Sequence, residues 1–154
     1  MGYVEANLLA GEAVIYKARL HWIIFVKAIT LIFLGVVFLL VQPLIAGIIV
    51  LIGCGALISP AIDYLTSEFG VTNKRVVIKV GFIRRRTLEL LLRHVEAISV
   101  DQSVTGRMLD YGSITLTGTG GVKELFANLR APLEFRRRIQ GEASQENVSA
   151  ADTR

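Results

Sequence analysis

The sequence holds one cysteine, Cys54, and only two histidines, His21 and His94. A lone cysteine excludes an intramolecular disulfide and a thiolate metal cluster, so the fold must stand without covalent staples. Cys54 lies inside an apolar run and reads as a small packing residue. Neither histidine has a second histidine or a cysteine near it in the chain, so neither reads as a metal ligand or a catalytic base. No convergent set of ionisable groups such as catalysis needs can be read from the sequence; the candidate catalytic groups are scattered singly. The chain therefore reads as a non-enzyme with no metal and no cofactor. Charge is scarce as well: 19% of the 154 residues are charged and 53% are hydrophobic. That balance is too apolar for an ordinary soluble domain.

The shortage of charge is local. Between His21 and Val41 the only formal charge is Lys27, and from Leu44 to Ile62 there is none. Each run is about 20 residues, or about 30 Å of helix, the thickness of a hydrocarbon core. Lys27 does not forbid insertion. The first run holds 15 Leu, Ile, Phe and Val residues. At about −0.3 kcal/mol each they outweigh the roughly +3 kcal/mol of a central lysine. Lys27 also lies close enough to Trp22 to snorkel toward headgroups. The second run holds 10 such residues and no charge. A secretory signal is a poor fit, because about 20 ordinary residues precede the run and Val41-Gln42-Pro43-Leu44 offers no small-residue cleavage site. The expectation is a two-helix transmembrane hairpin, 22–41 and 44–62.

Apart from Lys27, every Lys and Arg lies outside the hairpin, with Lys17 and Arg19 before it and Lys74 and Arg75 after it. The positive-inside rule then puts both termini of a multi-pass protein in the cytoplasm and the Gln42-Pro43 tip outside. Trp22 and Tyr64 sit where interfacial aromatics belong, and with Lys27 they are the expected membrane-interface anchors. Gly53, Gly55 and Ser59 give the second helix a smooth face. That face packs either within the hairpin or between protomers.

Beyond Asp63 the pattern changes to short alternating runs with turn signals, the mark of an antiparallel β domain. Phe69 and Val71 lead to a turn at Asn73-Lys74. Val76, Ile78 and Val80 alternate and stop at Gly81, and Leu88, Leu90 and Leu92 follow. A strand from Val95 carries Ile98 and Val100. Asp101 and Asp110 flank a polar loop and are expected to cap a short helical turn around Thr105 to Leu109. Ile114 and Leu116 precede a Gly118-Thr119-Gly120-Gly121 turn, and the chain returns through Leu125, Ala127 and Leu129. Those glycines are no phosphate loop, since Val122-Lys123-Glu124 follows and the next element is a strand. Pro132 opens a helix with Phe135 and Ile139 on one face, and Gly141 is expected to end it. Upstream, Val14, Tyr16, Ala18 and Leu20 alternate as a strand expected to join the same sheet. The division expected is 1–21 as an N-terminal cytoplasmic segment, 22–62 as the hairpin, 63–140 as the β domain and 141–154 as a disordered tail.

Several strings occur together in order: Thr72-Asn73-Lys74-Arg75, Gly81 followed by Arg84-Arg85-Arg86, Gly106-Arg107, Asp110-Tyr111-Gly112, Gly118-Thr119-Gly120-Gly121 and Ala131-Pro132-Leu133-Glu134-Phe135-Arg136. Following a two-helix hairpin, this set resembles the bacterial membrane-anchored pleckstrin-homology (PH-like) family of the YdbS type, over about Leu9 to Ile139. The resemblance implies an α+β membrane protein: a seven-strand antiparallel β-sandwich or partly open barrel, closed by a C-terminal helix. It implies no catalysis and a tendency to oligomerise. Lipid-reading eukaryotic relatives cluster basic residues on their first strand turn. Here Lys74-Arg75 and Arg84-Arg85-Arg86 sit on different turns, which argues against phosphoinositide recognition.

From Asp63 to Gln140 the chain carries 13 Lys and Arg against 8 Asp and Glu. A basic domain at the inner leaflet is attracted by about 1 kcal/mol per well-placed charge. Lys74, Arg75, Arg84, Arg85 and Arg86 are the candidate headgroup contacts, or else a solvated face that only obeys the positive-inside rule. No aromatic platform accompanies them, so nucleic acid is not an expected partner. The functional expectation is a homo-oligomeric scaffold or membrane-complex subunit in the bacterial inner membrane. The alternatives are an anionic-lipid sensor and, more distantly, an accessory subunit of a transporter or membrane protease.

Overall fold

Among the described residues, alternating apolar residues punctuated by turn formers produce seven strands, and two apolar runs produce helices. The computed structural model describes residues 3–82, 86–121 and 123–152. In chain order, α1 (Tyr3–Ala6) and β1 (Val14–Ala18) precede a 3-10 turn (Trp22–Phe25). The helices α2 (Val26–Phe38), α3 (Pro43–Ala56) and α4 (Ile58–Thr66) follow. Then come β2 (Glu68–Thr72), β3 (Arg75–Val80), β4 (Arg86–Leu91), β5 (Val95–Asp101), the short α5 (Val104–Met108), β6 (Tyr111–Gly118), β7 (Lys123–Arg130) and α6 (Pro132–Asp152). One antiparallel sheet runs β1-β2-β3-β4 and the other β5-β6-β7. The class is α+β.

The core lies between the sheets and under α6. Phe69, Val71, Val76 and Ile78 meet Ile114, Leu116, Phe126 and Leu129, and Phe135 and Ile139 of α6 close the open end. The Phe69 ring meets Phe126 and Phe135 edge-on, at 5.9 and 6.4 Å between centroids. Such edge-to-face pairs add to the burial itself, which is worth about 1.5–3 kcal/mol per large apolar side chain.

The helices are inserted between neighbouring strands. Ala18 of β1 pairs with Phe69 of β2. Just past β1, Leu20 bridges to Leu129, the His21 N–H donates to the Asn128 carbonyl at 2.7 Å, and Arg130 N–H donates to Arg19 at 3.0 Å. The two sheets are thus tied together where the chain leaves for the helices. Helices α2 and α3 pack antiparallel. A Cβ on Gly35 would lie 2.8 Å from Val50 Cγ2, and one on Gly53 would lie 2.6 Å from Ile32 Cγ1. Only glycine permits backbones this close.

Four features differ from the sequence expectations. The first apolar run is not one helix from 22 to 41. His21 Nδ1 accepts from the Ile23 N–H and tightens Trp22–Phe25 into a 3-10 turn, and α2 stops at Phe38, whose carbonyl takes the N–H groups of Val41 and Gln42. The second run extends past 62 to Thr66 and is interrupted at Leu57, because Pro60 has no N–H to offer the Ala56 carbonyl. Among the described residues, Pro43–Thr66 is the one helix long and apolar enough to cross a membrane; Trp22–Phe38 is shorter. The 141–154 tail is not separate from the fold: α6 continues through Gly141 to Asp152. A helical glycine costs only about 1 kcal/mol relative to alanine, and Ala143 packs against the core. Finally, Ser103, not Asp101, caps α5, accepting from Gly106 N–H at 3.1 Å, while Asp110 takes a left-handed conformation after the helix.

Candidate functional site

Strand direction decides which basic residues face the helices. β1 runs toward them and β2 away, so the Asn73-Lys74 turn lies at the far end of the first sheet, and the end of β3 at Val80 and the start of β4 at Arg86 lie at the near end. Arg75 and Val80 are separated by about 17 Å of strand. The proposed headgroup residues are therefore split. Lys74 donates to the Ala10 carbonyl at 3.0 Å, away from the helices. Arg86 is exposed at the near end. Arg84 and Arg85 lie outside the described residues.

Arg75 is not a surface contact at all. Its guanidinium is buried and donates to Glu12 through Nε (2.9 Å) and Nη2 (3.0 Å), to Glu89, and to the Asn7 carbonyl. Thr72 donates to the same Glu12 carboxylate at 2.7 Å. Burial pushes the Glu12 carboxyl upward, but the hydrogen bonds from Arg75, Leu9 N–H and Thr72 overcome it and hold the group at about 2. This arrangement clamps the N-terminal segment over the outer face of β2 and β3. Val4 sits against Gly70, where a Cβ would come within 2.7 Å. Glu5 pairs with Lys17.

The near end is different. His21, buried, stacks on Tyr111 (5.1 Å between centroids) and lies 5.3 Å from the Trp22 ring, which is half exposed. Burial first, and then the charge of Arg130, push the His21 imidazole below its ordinary value, so it stays neutral and can accept the Ile23 bond. Tyr111 OH also bonds Thr105 Oγ1 at 3.2 Å, fixing α5 beside this corner with Val104 and Met108 exposed.

Between the helices and the sheets lies a cleft of about 930 Å³. Its apolar walls are Ile23, Ile24 and Leu31 on the helical side and Phe69, Val80 and Phe126 on the sheet side. Among the described residues, three charges line it: Lys27 from the first turn of α2, Asp63 from α4 and Arg86 from β4. Among the described residues, these three side chains form no ion pair or hydrogen bond with one another or with others. Of the expected interface anchors, Lys27 thus lines this cleft, Trp22 is outward, and Tyr64 is half-buried against Phe25 (5.6 Å). Of the small-residue face, Gly53 is consumed by the contact with Ile32, Gly55 faces open space, and Ser59 lines the cleft.

Sequence reasoning missed Glu12, Asp63 and the His21–Tyr111 stack. Glu12 lies 63 residues from Arg75, and no local period marks it. Asp63 could have been found, since it is the first acid after a charge-free run. Among the described residues no group of His, Cys, Asp and Glu is placed to hold a metal ion.

No curated protein matches the sequence. The chain is similar to a solved duf1696 family protein with a pleckstrin-homology domain from Shewanella loihica. That likeness has 14% identity and a TM-score of 0.39, over 52% of this chain and 73% of that one. The family model described as bacterial PH domain matches residues 17–151. Because that match begins within β1 and ends within α6, taking in both sheets and the helices between them, the chain belongs to the bacterial PH domain family.

Proposed function

We propose that the protein is a non-catalytic, membrane-anchored PH-like scaffold, built as a homo-oligomer or as a subunit of a membrane complex at the inner leaflet. One observation carries this reading. The β domain completes its own core with α6, while α2 and α3 keep their outer faces bare. Fifteen large apolar side chains from Ile29 to Ile58 are exposed, Leu40 to 93%. At about 1 kcal/mol or more each, leaving them in water costs on the order of 15 kcal/mol, as much as a domain's whole stability. Lipid is the solvent that removes this cost.

The shorter first helix fits the same reading. Trp22–Phe38 spans about 25 Å, and a small mismatch is absorbed by bilayer thinning or by flanking residues. Exposed Trp22, Phe82, Val104 and Met108 at the helical end of the domain supply further interfacial contacts. The Lys and Arg distribution supports cytoplasmic termini. The free edges of β4 and β5 and the open Gly55 face offer surfaces for lateral association.

The test has two readouts. In alkaline extraction the chain is expected to stay with the membrane pellet, and release without detergent would overturn the anchoring. The mass of the particle in nanodiscs is expected to exceed one protomer, and a clean monomer without partners would overturn the scaffold. Charge reversal of Arg84, Arg85 and Arg86 is expected to leave that mass unchanged, whereas a lipid-sensing role for this turn requires loss of anionic-lipid dependence.

A further inference from the structure

We infer that the cleft between the helices and the sheets is a binding site for one phospholipid with a single phosphodiester charge, held between Lys27 and Arg86. The inference rests on the membrane-anchored reading. Its volume of about 930 Å³ lies at the upper end of the range for small-molecule sites. Leu31, one turn further along α2 than Lys27, leads from the cleft to the exposed apolar faces of the helices, so a hydrocarbon chain reaches the cleft sideways without leaving an apolar medium. The charged groups lie where the helices join the sheets, Lys27 on the first turn of α2 beside Ile23 and Ile24, and Asp63 three residues before the end of α4. That is the level of lipid headgroups.

The charges choose the ligand. An ammonium and a guanidinium with no partner of their own suit a phosphate, the arginine through its planar fork and the lysine as a point charge. Among the described residues, Asp63 brings the net charge of the lining to +1, which one phosphodiester neutralises. A headgroup with a second negative charge would face Asp63 without a matching cation. The site therefore favours a lipid of the phosphatidylglycerol type over phosphatidic acid. The order over phosphatidylethanolamine follows from the same balance, because an added ammonium restores the excess positive charge.

The experiment uses the full chain, extracted in mild detergent, washed, and analysed for retained lipid by native mass spectrometry. Extraction is made from nanodiscs of equal phosphatidylglycerol, phosphatidylethanolamine and phosphatidic acid. The expected result is one phosphatidylglycerol per chain. Retention is expected to fall at least tenfold in the Lys27→Gln, Arg86→Gln double variant. It is expected to fall as far in Ala127→Trp, which fills the cleft without changing charge. Lys74→Gln, at the far end of the sheet, removes a cation away from the cleft and is expected to retain the lipid. An Asp63→Asn variant is expected to lose discrimination against phosphatidic acid.

Unchanged retention in both the double variant and Ala127→Trp would overturn the site. So would displacement of the lipid by millimolar inorganic phosphate alone, which would mark a simple anion site. Failure here differs from failure of the anchoring. In the first case the wild type and the variants remain in the pellet on alkaline extraction while lipid counts do not differ. In the second the wild type itself is released.

Discussion

Arg75 opens β3 and Arg86 opens β4, at opposite ends of one strand hairpin, and they have opposite fates. Arg75 is enclosed by Glu12, Glu89 and the Asn7 carbonyl, whereas Arg86 is exposed on the cleft under the helices. The residue type is the same, but the end and the face of the sheet differ: Arg75 shares the outer face with Val77 and Glu89, and Arg86 the inner face with Leu88 and Leu90. At the far end, the N-terminal segment folds back and supplies acceptors. At the near end, the space over the sheet is taken by helices that carry almost no polar groups. An arginine's role here is set by what the topology places above it.

Four measurements break or sharpen that contrast. The largest effect is expected from Arg75→Ala, which leaves the Glu12 carboxylate buried and unpaired; such losses run to about 3–5 kcal/mol. Thermal melting of the detergent-extracted protein reads it, and a change under about 1 kcal/mol would mean that the clamp is not stabilising. Acid should reproduce part of that loss. The Glu12 carboxyl, held at about 2 against an ordinary 4.5, contributes its full stability above pH 4.5 and loses it as pH falls toward 2. A melting-temperature profile over this window is expected to slope downward with acid, and to flatten in Glu12→Gln. Next, Gly70→Ala pushes a methyl into Val4 and is expected to cost about 1–3 kcal/mol, with increased proteolysis near residues 3–12 as its signature. Last, Arg86→Ala is expected to change stability by no more than about 0.5 kcal/mol. A large loss there would show a hidden structural partner and erase the contrast.

Much of the β domain was legible before any coordinates. Val76, Ile78 and Val80, or Ile114 and Leu116, alternate because one face of each strand is buried, and that period survives in the linear chain. Phe135 and Ile139 are spaced as a helix face and do enter the core. What was not legible depends on distant partners. Arg75 sits in a basic string that looks exposed, and only the return of Glu12 across the sheet buries it. The extent of α6 was misjudged at Gly141, because a single poor helix former weighs less than the Ala143 contact beyond it. The helix limits near His21 and Leu57 turn on one side-chain cap and one missing N–H, details finer than hydrophobic periodicity. The cleft itself was invisible, since Lys27, Asp63 and Arg86 come from three separate elements.

The placement of the helices between β1 and β2 has a consequence for how the chain is made. On the ribosome, β1 emerges first and has no neighbour until some 50 residues later, when β2 appears after both apolar segments have been synthesised. Pairing Ala18 with Phe69 closes a long loop whose entropy cost is relieved once α2 and α3 have packed. Completion of the first sheet is therefore a checkpoint: it registers that the apolar segments have already found their place.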